Sequence, residues 1–317
     1  MKKVSIIIPV REINDYIREA IPHHLRLDYP DYEILIFPDE PSEETFPRTR
    51  IIPSGKTGPA EKRDMALEHA RGEILAFIDD DAYPRPDWLK NAVTHFDDPS
   101  VGAVGGPAVT AENDGLLRQA SGKVYESFLC SGGYTYRYIP GKLMDVEDLP
   151  SVNLIVRKDI FAQIGGYDSN FYPGEDTKLC LDIIKLADKR IVYDPDVLVY
   201  HHRRKLFREH LKQSNNYALH RGYFAKVLPD TSRKIVYFVP SLFVLGLVAG
   251  PLLALLCPPL WYLYFSVLLL YFLLLVASTV NLKNIPVWIL SMAGVFLTHV
   301  GYGIGFVRGL LSRELIR

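Results

Sequence analysis

The chain has 317 residues, 48% of them hydrophobic, with 36 basic and 37 acidic side chains and a formal charge of -1. That length suits one large domain or two smaller ones. Its three cysteines, Cys130, Cys180 and Cys257, are odd in number and far apart, which excludes a disulfide framework or a cysteine metal site and points to a reducing compartment.

The charge is unevenly spread. Residues 1–202 carry 23 basic and 34 acidic side chains, residues 203–234 nine and two, and residues 235–317 four and one. An acidic globular part, a basic neck and an apolar tail is the order of a cytosolic domain held at a membrane, because anionic inner-leaflet lipids attract juxtamembrane basic residues.

Val4 to Val10 reads as a buried first strand; its apolar core is too short for a signal peptide, and Arg11 and Glu12 follow at once. A helix-compatible stretch runs from about Asn14 to Leu27. Tyr32 to Phe37 is a second buried strand, closing on Pro38, Asp39 and Glu40. Residues 41–58 form a polar, proline-rich connection. Pro59 to Ala70 has helical spacing, with Pro59 at its start and Gly72 just beyond its end.

The stretch Gly72 to Trp88, GEILAFIDDDAYPRPDW, organises the rest. Ile74 to Ile78 is a continuous apolar run, as expected of a parallel strand buried on both faces. It stops at Asp79, Asp80 and Asp81, and Pro84 and Pro86 then force a loop. Alternating strands and helices predict a mostly parallel α/β sheet flanked by helices, with ligands at the carboxyl ends of its strands. Three adjacent carboxylates repel one another, and a divalent cation relieves that repulsion. In an extended segment residues i and i+2 point the same way, so Asp79 and Asp81 are expected to face one ligand.

Val101 to Val109 is strand-like, and residues 112–145 read as a loop-rich, acceptor-facing region. Ser151 to Val156 is a further strand, Gly165–Gly166–Tyr167 a turn, and Leu179 to Leu186 an amphipathic helix. Arg190 to Tyr200 is a strand region ending in His201 and His202. Three apolar blocks follow, at 235–257, 259–280 and 286–307, each long enough to cross a hydrocarbon core of about 30 Å. Three crossings leave Arg308, Arg313 and Arg317 outside, against the positive-inside tendency, so either one block is re-entrant or the tendency fails here; three spans are the expectation. In the neck, Leu206, Phe207, Leu211, Ser214 and Ala218 fall near one helical face, the pattern of an amphipathic helix lying on the inner leaflet.

Four features converge on one sheet edge: Pro9–Val10–Arg11–Glu12, Asp39, Lys62 with Arg63, and Asp79–Asp80–Asp81. An acid that bonds a base or ribose, cations near a helix start and a metal-binding acid cluster together describe a nucleotide-diphosphate site. SIIIPVRE, the Asp39 turn, GPAEKRDMALEHARGEILAFIDDDAYPRPDWL, GGYD, GEDTKLCLDI and VYHH resemble the family 2 glycosyltransferases with the GT-A fold, over about residues 3–225. The resemblance implies inverting sugar transfer from a nucleotide-diphosphate sugar, with Mn²⁺ or Mg²⁺. It implies donor contacts at Pro9, Val10, Glu12, Asp39, Lys62, Arg63, Asp79 and Asp80. It gives metal ligands at Asp81, Asp79 and His201, with His202 in reserve, and Asp176 as the base. Competing readings stand for two of these: Asp176 as the N-cap of the 179–186 helix, and His201 as a strand-end histidine. Two departures matter. Pro38–Asp39–Glu40 stands where the family often has two aspartates before Gly-Ser, and Gln-x-x-Arg-Trp, a mark of processive synthases, is absent.

The expected organisation is therefore a GT-A domain over 1–202, a basic interfacial neck over 203–234 and a membrane domain over 235–317. The expected location is the inner membrane with the catalytic domain facing the cytoplasm. The expected partners are a nucleotide sugar, a lipid-linked acceptor and membrane lipids, with no nucleic acid and with homo-oligomer formation left open. The alternatives are a processive polysaccharide synthase and a non-catalytic nucleotide-sugar-binding membrane partner.

Overall fold

Continuous apolar runs become the centre of a sheet. In the computed structural model, which describes residues 1–167 and 171–315, strands β1 (Val4–Pro9) and β2 (Tyr32–Phe37) are buried along their whole length. Asp168 of the GGYD stretch and Arg317 lie outside the described residues. β1 and β2 pair in parallel from Val4↔Tyr32 to Pro9↔Phe37. On its other side β1 pairs in parallel with β4 (Ile74–Phe77), ending at Ile7↔Phe77. The three strands stop at nearly one level, so Arg11–Glu12, Asp39 and Asp79–Asp81 all begin at one edge.

The remaining strands are β3 (Thr49–Ile51), β5 (Ala82–Pro84), β6 (Val101–Gly105), β7 (Ala108–Thr110), β8 (Met144–Val146), β9 (Leu154–Arg157), β10 (Arg190–Tyr193) and β11 (Val199–His201). Eight form one sheet in the order β3-β2-β1-β4-β9-β6-β10-β8, and β5-β11-β7 form a second. β9 runs antiparallel to both β4 and β6, and β8 antiparallel to β10. The sheet is therefore mixed, parallel in the half that carries the aspartates. β3 lies in the stretch read as connection, and Ala82–Pro84 is an edge strand where the prolines predicted only loop; an edge tolerates proline because no neighbour needs its missing N–H.

Asn14 starts the first helix (Asp15–His24), its side-chain oxygen accepting from Ile17 N–H at 3.0 Å. The helix expected over 59–70 is present as Pro59–Asp64 and Ala66–His69, tightened at Met65, where ψ is -17°.

The chain divides into two compact units. One comprises Met1–Val109 and Tyr136–His202, the other Thr110–Thr135 and Arg203–Arg317. The second unit is helical. The region read as loop-rich contains a helix over Leu116–Glu126, whose buried residues are Ala120, Ser121, Gly122 and Val124. Small residues are needed there, since a Cβ on Gly122 would strike the Thr110 side chain. Arg208–Val227 is a 20-residue helix that buries His210, Ser214, Ala218 and Gly222. Leu206 and Phe207 precede it; of the expected face Ser214 and Ala218 are buried and Leu211 is half-buried, and Phe224 and Ala225 are buried towards its end. Three helices, Ile235–Leu256, Leu260–Thr279 and Ile285–Leu311, are long and apolar enough to cross a membrane.

Candidate active site

At the end of β1 the Lys62 ammonium donates to the Val10 carbonyl and to the Asp39 carboxylate. Asp39 N–H in turn donates to the Arg11 carbonyl at 2.9 Å. Pro9 and Val10 are buried, whereas Glu12 is exposed. Lys62 is only 3% exposed, so it ties two strand ends together and is not a free phosphate donor. Arg63 is equally buried and equally neutralised. Its Nη2 meets Asp79 Oδ1 at 2.6 Å, its Nη1 meets Glu175 Oε1 at 3.3 Å, and its guanidinium lies 5.5 Å over the Tyr167 ring. Ser151 holds that tyrosine through a 2.8 Å hydroxyl contact. The expected basic pair thus meets two strand-end carboxylates, Asp39 and Asp79, and the helix-start carboxylate of Glu175.

The three aspartates part company. Asp79 turns to Arg63, Asp80 accepts from Asn14 Nδ2 at 2.6 Å, and Asp81 lies 3.2 Å from His201 Nε2. The expectation that Asp79 and Asp81 face one ligand needs an extended segment. β4 ends at Phe77 and Ala82 N–H closes on the Asp79 carbonyl at 3.2 Å, so residues 79–82 form a turn. Among the described residues no three or more His, Cys, Asp or Glu side chains converge on one point. Burial and the charges of Asp81 and Asp79 push the Asp80 carboxyl up to about 6, with Asn14 opposing.

His201 pairs with Ala82 across β11 and β5, which sets its ring beside Asp81. His202 points elsewhere, 3.2 Å from Glu19 and against Tyr16. Of the two histidines, His201 is the one that shares the Asp81 site. A carboxylate and an imidazole suit Mn²⁺, and hard cations routinely complete their shell with water and substrate phosphate. The residues present fit such an ion as a two-donor set.

Asp176 lies in the first turn of Glu175–Lys185. The residue before that helix is Gly174, with φ of 116°, a left-handed conformation that glycine adopts without strain. The N-cap reading of Asp176 is thereby replaced. Asp176 is half-buried and accepts from Thr177 N–H at 2.8 Å, whereas Glu175 is 6% exposed. Burial pushes the Glu175 carboxyl up while Arg63 opposes. Of the two adjacent acids, Asp176 is the accessible one. Reasoning from sequence missed Asn14 as a partner of Asp80 and Tyr167 as the floor beneath Arg63; Asn14 was read only as the start of a helix-compatible stretch.

Residues 5–165 match the model of the family described as glycosyl transferase family 2. The chain belongs to that family.

Among family members it is 23% identical over 334 residues to the Methanococcus voltae dolichyl N-acetyl-alpha-D-glucosaminyl phosphate 3-beta-D-2,3-diacetamido-2,3-dideoxy-beta-D-glucuronosyltransferase, covering 98% of both chains. It is 26% identical over 226 residues to the Haloferax volcanii glucosyl-dolichyl phosphate glucuronosyltransferase, covering 65% of this chain and 70% of that one. A pre-mycofactocin glycosyltransferase of Mycobacterium tuberculosis is 30% identical over 179 residues, 56% of this chain but only 37% of that protein. In structure the chain is similar to the mannosyltransferase PcManGT from Pyrobaculum calidifontis, solved with GDP-Man and Mn²⁺, with a TM-score of 0.66, 21% identity and coverage of 99% and 88%. The glycosyltransferase fold is GT-A, followed by the three apolar helices.

Proposed function

We propose that the chain moves one sugar from a nucleotide-diphosphate sugar to a lipid-linked acceptor, with inversion, at the cytoplasmic face of the inner membrane. The observation that carries the reading is the Asp79–Arg63–Glu175 bridge. It joins the aspartate turn after β4 to the helix start that offers Asp176. A donor held at the turn then has one accessible carboxylate beside it.

In the proposed reaction Asp176 accepts the proton of the acceptor hydroxyl. The acceptor oxygen attacks the anomeric carbon opposite the departing diphosphate. The bond from that carbon to the diphosphate oxygen breaks, and its electron pair stays on the diphosphate. Asp81 and His201 would hold Mn²⁺ or Mg²⁺, which when bound neutralises charge on the leaving diphosphate. Val10, Glu12 and Asp39 border the nucleoside end. The lipid acceptor draws support from the dolichyl-phosphate-linked substrates in the names of two relatives and from the apolar helices. A role in cell-surface glycan synthesis follows from that acceptor class. The domain assignment proposed is catalysis in residues 1–202 and membrane attachment through 203–317.

The test is transfer from labelled nucleotide sugars into membrane lipid by the purified full chain, with and without Mn²⁺, beside Asp176→Asn. Labelled lipid that requires both metal and Asp176 is the expected result. Labelled long polymer, or transfer undiminished in Asp176→Asn, would sink the reading.

A further inference from the structure

The third apolar helix, Ile285–Leu311, packs against a polar partner. His210 Nε2 lies 3.0 Å from Thr298 Oγ1 and the Lys226 ammonium donates to the Ser312 carbonyl. Between these, Asn215 abuts Gly301, Ala218 abuts Gly305 and Leu219 abuts Gly309. The separation in sequence is 88 for the first pair and 86 for the last. Helix Arg208–Val227 therefore runs parallel to the second half of Ile285–Leu311 and in step with it. Arg208, Glu209, Lys212 and Asn216 are exposed on its other sides. Were Ile285–Leu311 to cross a bilayer, these groups would be carried into the hydrocarbon beside it, where charged side chains are costly.

The contacts with the other two apolar helices point the same way. Ile285–Leu311 meets Ile235–Leu256 through Phe238 on Phe306, with ring centroids 4.8 Å apart, and through Ser241 Oγ on the Gly303 carbonyl at 2.9 Å. It meets Leu260–Thr279 through the Tyr271 hydroxyl on His299 at 3.0 Å and through Leu275. Phe238 and Ser241 belong to the first turns of one helix, Tyr271 and Leu275 to the last turns of the other. Both sets lie at the end of the hairpin that joins Lys234 and Asn281. Beyond them Leu245, Val248, Leu252, Leu263 and Leu269 are exposed.

We propose that only the hairpin 235–279 crosses the membrane, and that Ile285–Leu311 lies in the membrane–water interface on the Lys234 side. The inference rests on the membrane reading above. Ile285, Ile289, Phe296, Ile304, Val307 and Leu311 are exposed and spaced as one helical face. Lipid is the occupant of that face, because it continues the hairpin's apolar sleeve and ends at exposed Arg308 and Arg313, which suit anionic headgroups. Arg308 and Arg313 then stand on the same side as the nine basic residues of 203–234, and the conflict with the positive-inside tendency disappears.

The exposed Cys257 at the hairpin tip is a native probe. The full chain in sealed, oriented vesicles is treated with a membrane-impermeant maleimide. Ser312→Cys and Asp31→Cys are each made in a Cys257→Ser background, and the Cys257→Ser chain, which keeps Cys130 and Cys180, serves as control. The expected result is labelling of Cys257 from one side only. From that side the Ser312→Cys and Asp31→Cys chains label no more than the control until the vesicles are opened. Labelling of Ser312→Cys from the side of Cys257, with Asp31→Cys protected, means three crossings and overturns the proposal. Labelling of all three positions from one side removes the crossing hairpin itself, and the membrane reading falls with it.

Discussion

Replacing Arg63 by methionine strands two carboxylates that the guanidinium now holds at 2.6 and 3.3 Å. Their environments differ. The Asp79 side chain is 33% exposed and can be solvated, whereas that of Glu175 is 8% exposed and cannot. Removing one partner of a buried ion pair costs about 3–5 kcal/mol, because the other charge is left without compensation. Most of that cost falls on Glu175, whose carboxyl burial already pushes up. For a unit of this size the loss lowers the melting temperature by roughly 10 °C. The assay is thermal unfolding of Arg63→Met beside Arg63→Met/Glu175→Gln. The double variant carries no stranded buried charge and is expected to recover more than half of the loss. A single variant melting with the wild type, or a double variant as unstable as the single, would refute this account of the bridge.

Four further outcomes are expected. Asp176→Asn lowers the turnover rate by about 10²–10⁴ while donor binding, read by calorimetry with the nucleotide sugar, is retained; a loss of binding instead would assign Asp176 to the donor. Asp81→Asn and His201→Ala each weaken Mn²⁺ binding in the presence of nucleoside diphosphate, read by electron paramagnetic resonance, and chelation abolishes transfer; unchanged Mn²⁺ titrations would remove both residues as ligands. Gly72→Ala drives a methyl into the backbone of Lys3–Ser5 and destabilises by roughly 1–3 kcal/mol, checked by denaturant unfolding. His24 is fully buried, donates to the Ala20 carbonyl at 2.8 Å, and is held by desolvation at about 4 against an ordinary 6.5. Between those pH values the unfolded chain binds the proton that the folded chain refuses. Stability present above pH 6.5 is therefore lost as the pH falls towards 4, by on the order of 3 kcal/mol in full; melting curves of wild type and His24→Gln that stay parallel from pH 7 to 5 would contradict this.

The parts of the fold that were legible rest on local pattern. β4 is an unbroken apolar run, β1 and β2 are apolar but for Ser5 and Glu33, and each announces its carboxyl end by the polar residues that follow. Asp79–Asp81, Asp39 and Glu12 could therefore be put on one edge before any coordinates. What escaped notice depends on partners distant in sequence. Nothing within Leu154–Arg157 says that it runs antiparallel between β4 and β6. The helix at Leu116–Glu126 hid because its buried side is Ala, Ser and Gly, which give little apolar signal. The fate of the charges was least visible. Lys62 and Arg63 read as cations suited to a diphosphate, and nothing local in the sequence told of their carboxylate partners, from 16 to 112 residues away. The two-residue periodicity applied to Asp79 and Asp81 failed because the chain turns at that point.

The seam between Arg208–Val227 and Ile285–Leu311 also sets a schedule for biogenesis. Asn215, Ala218 and Leu219 leave the ribosome roughly 90 residues ahead of Gly301, Gly305 and Gly309, which meet them. Until then the earlier helix presents a bare backbone groove and a buried-to-be His210 that has no Thr298. The hairpin lies between the two in the chain, so on the topology proposed above its insertion comes first and brings the missing helix back to the same bilayer face. On that topology completion of the helical unit is contingent on entry into the membrane, and a chain that never reaches a bilayer is left with an uncovered groove.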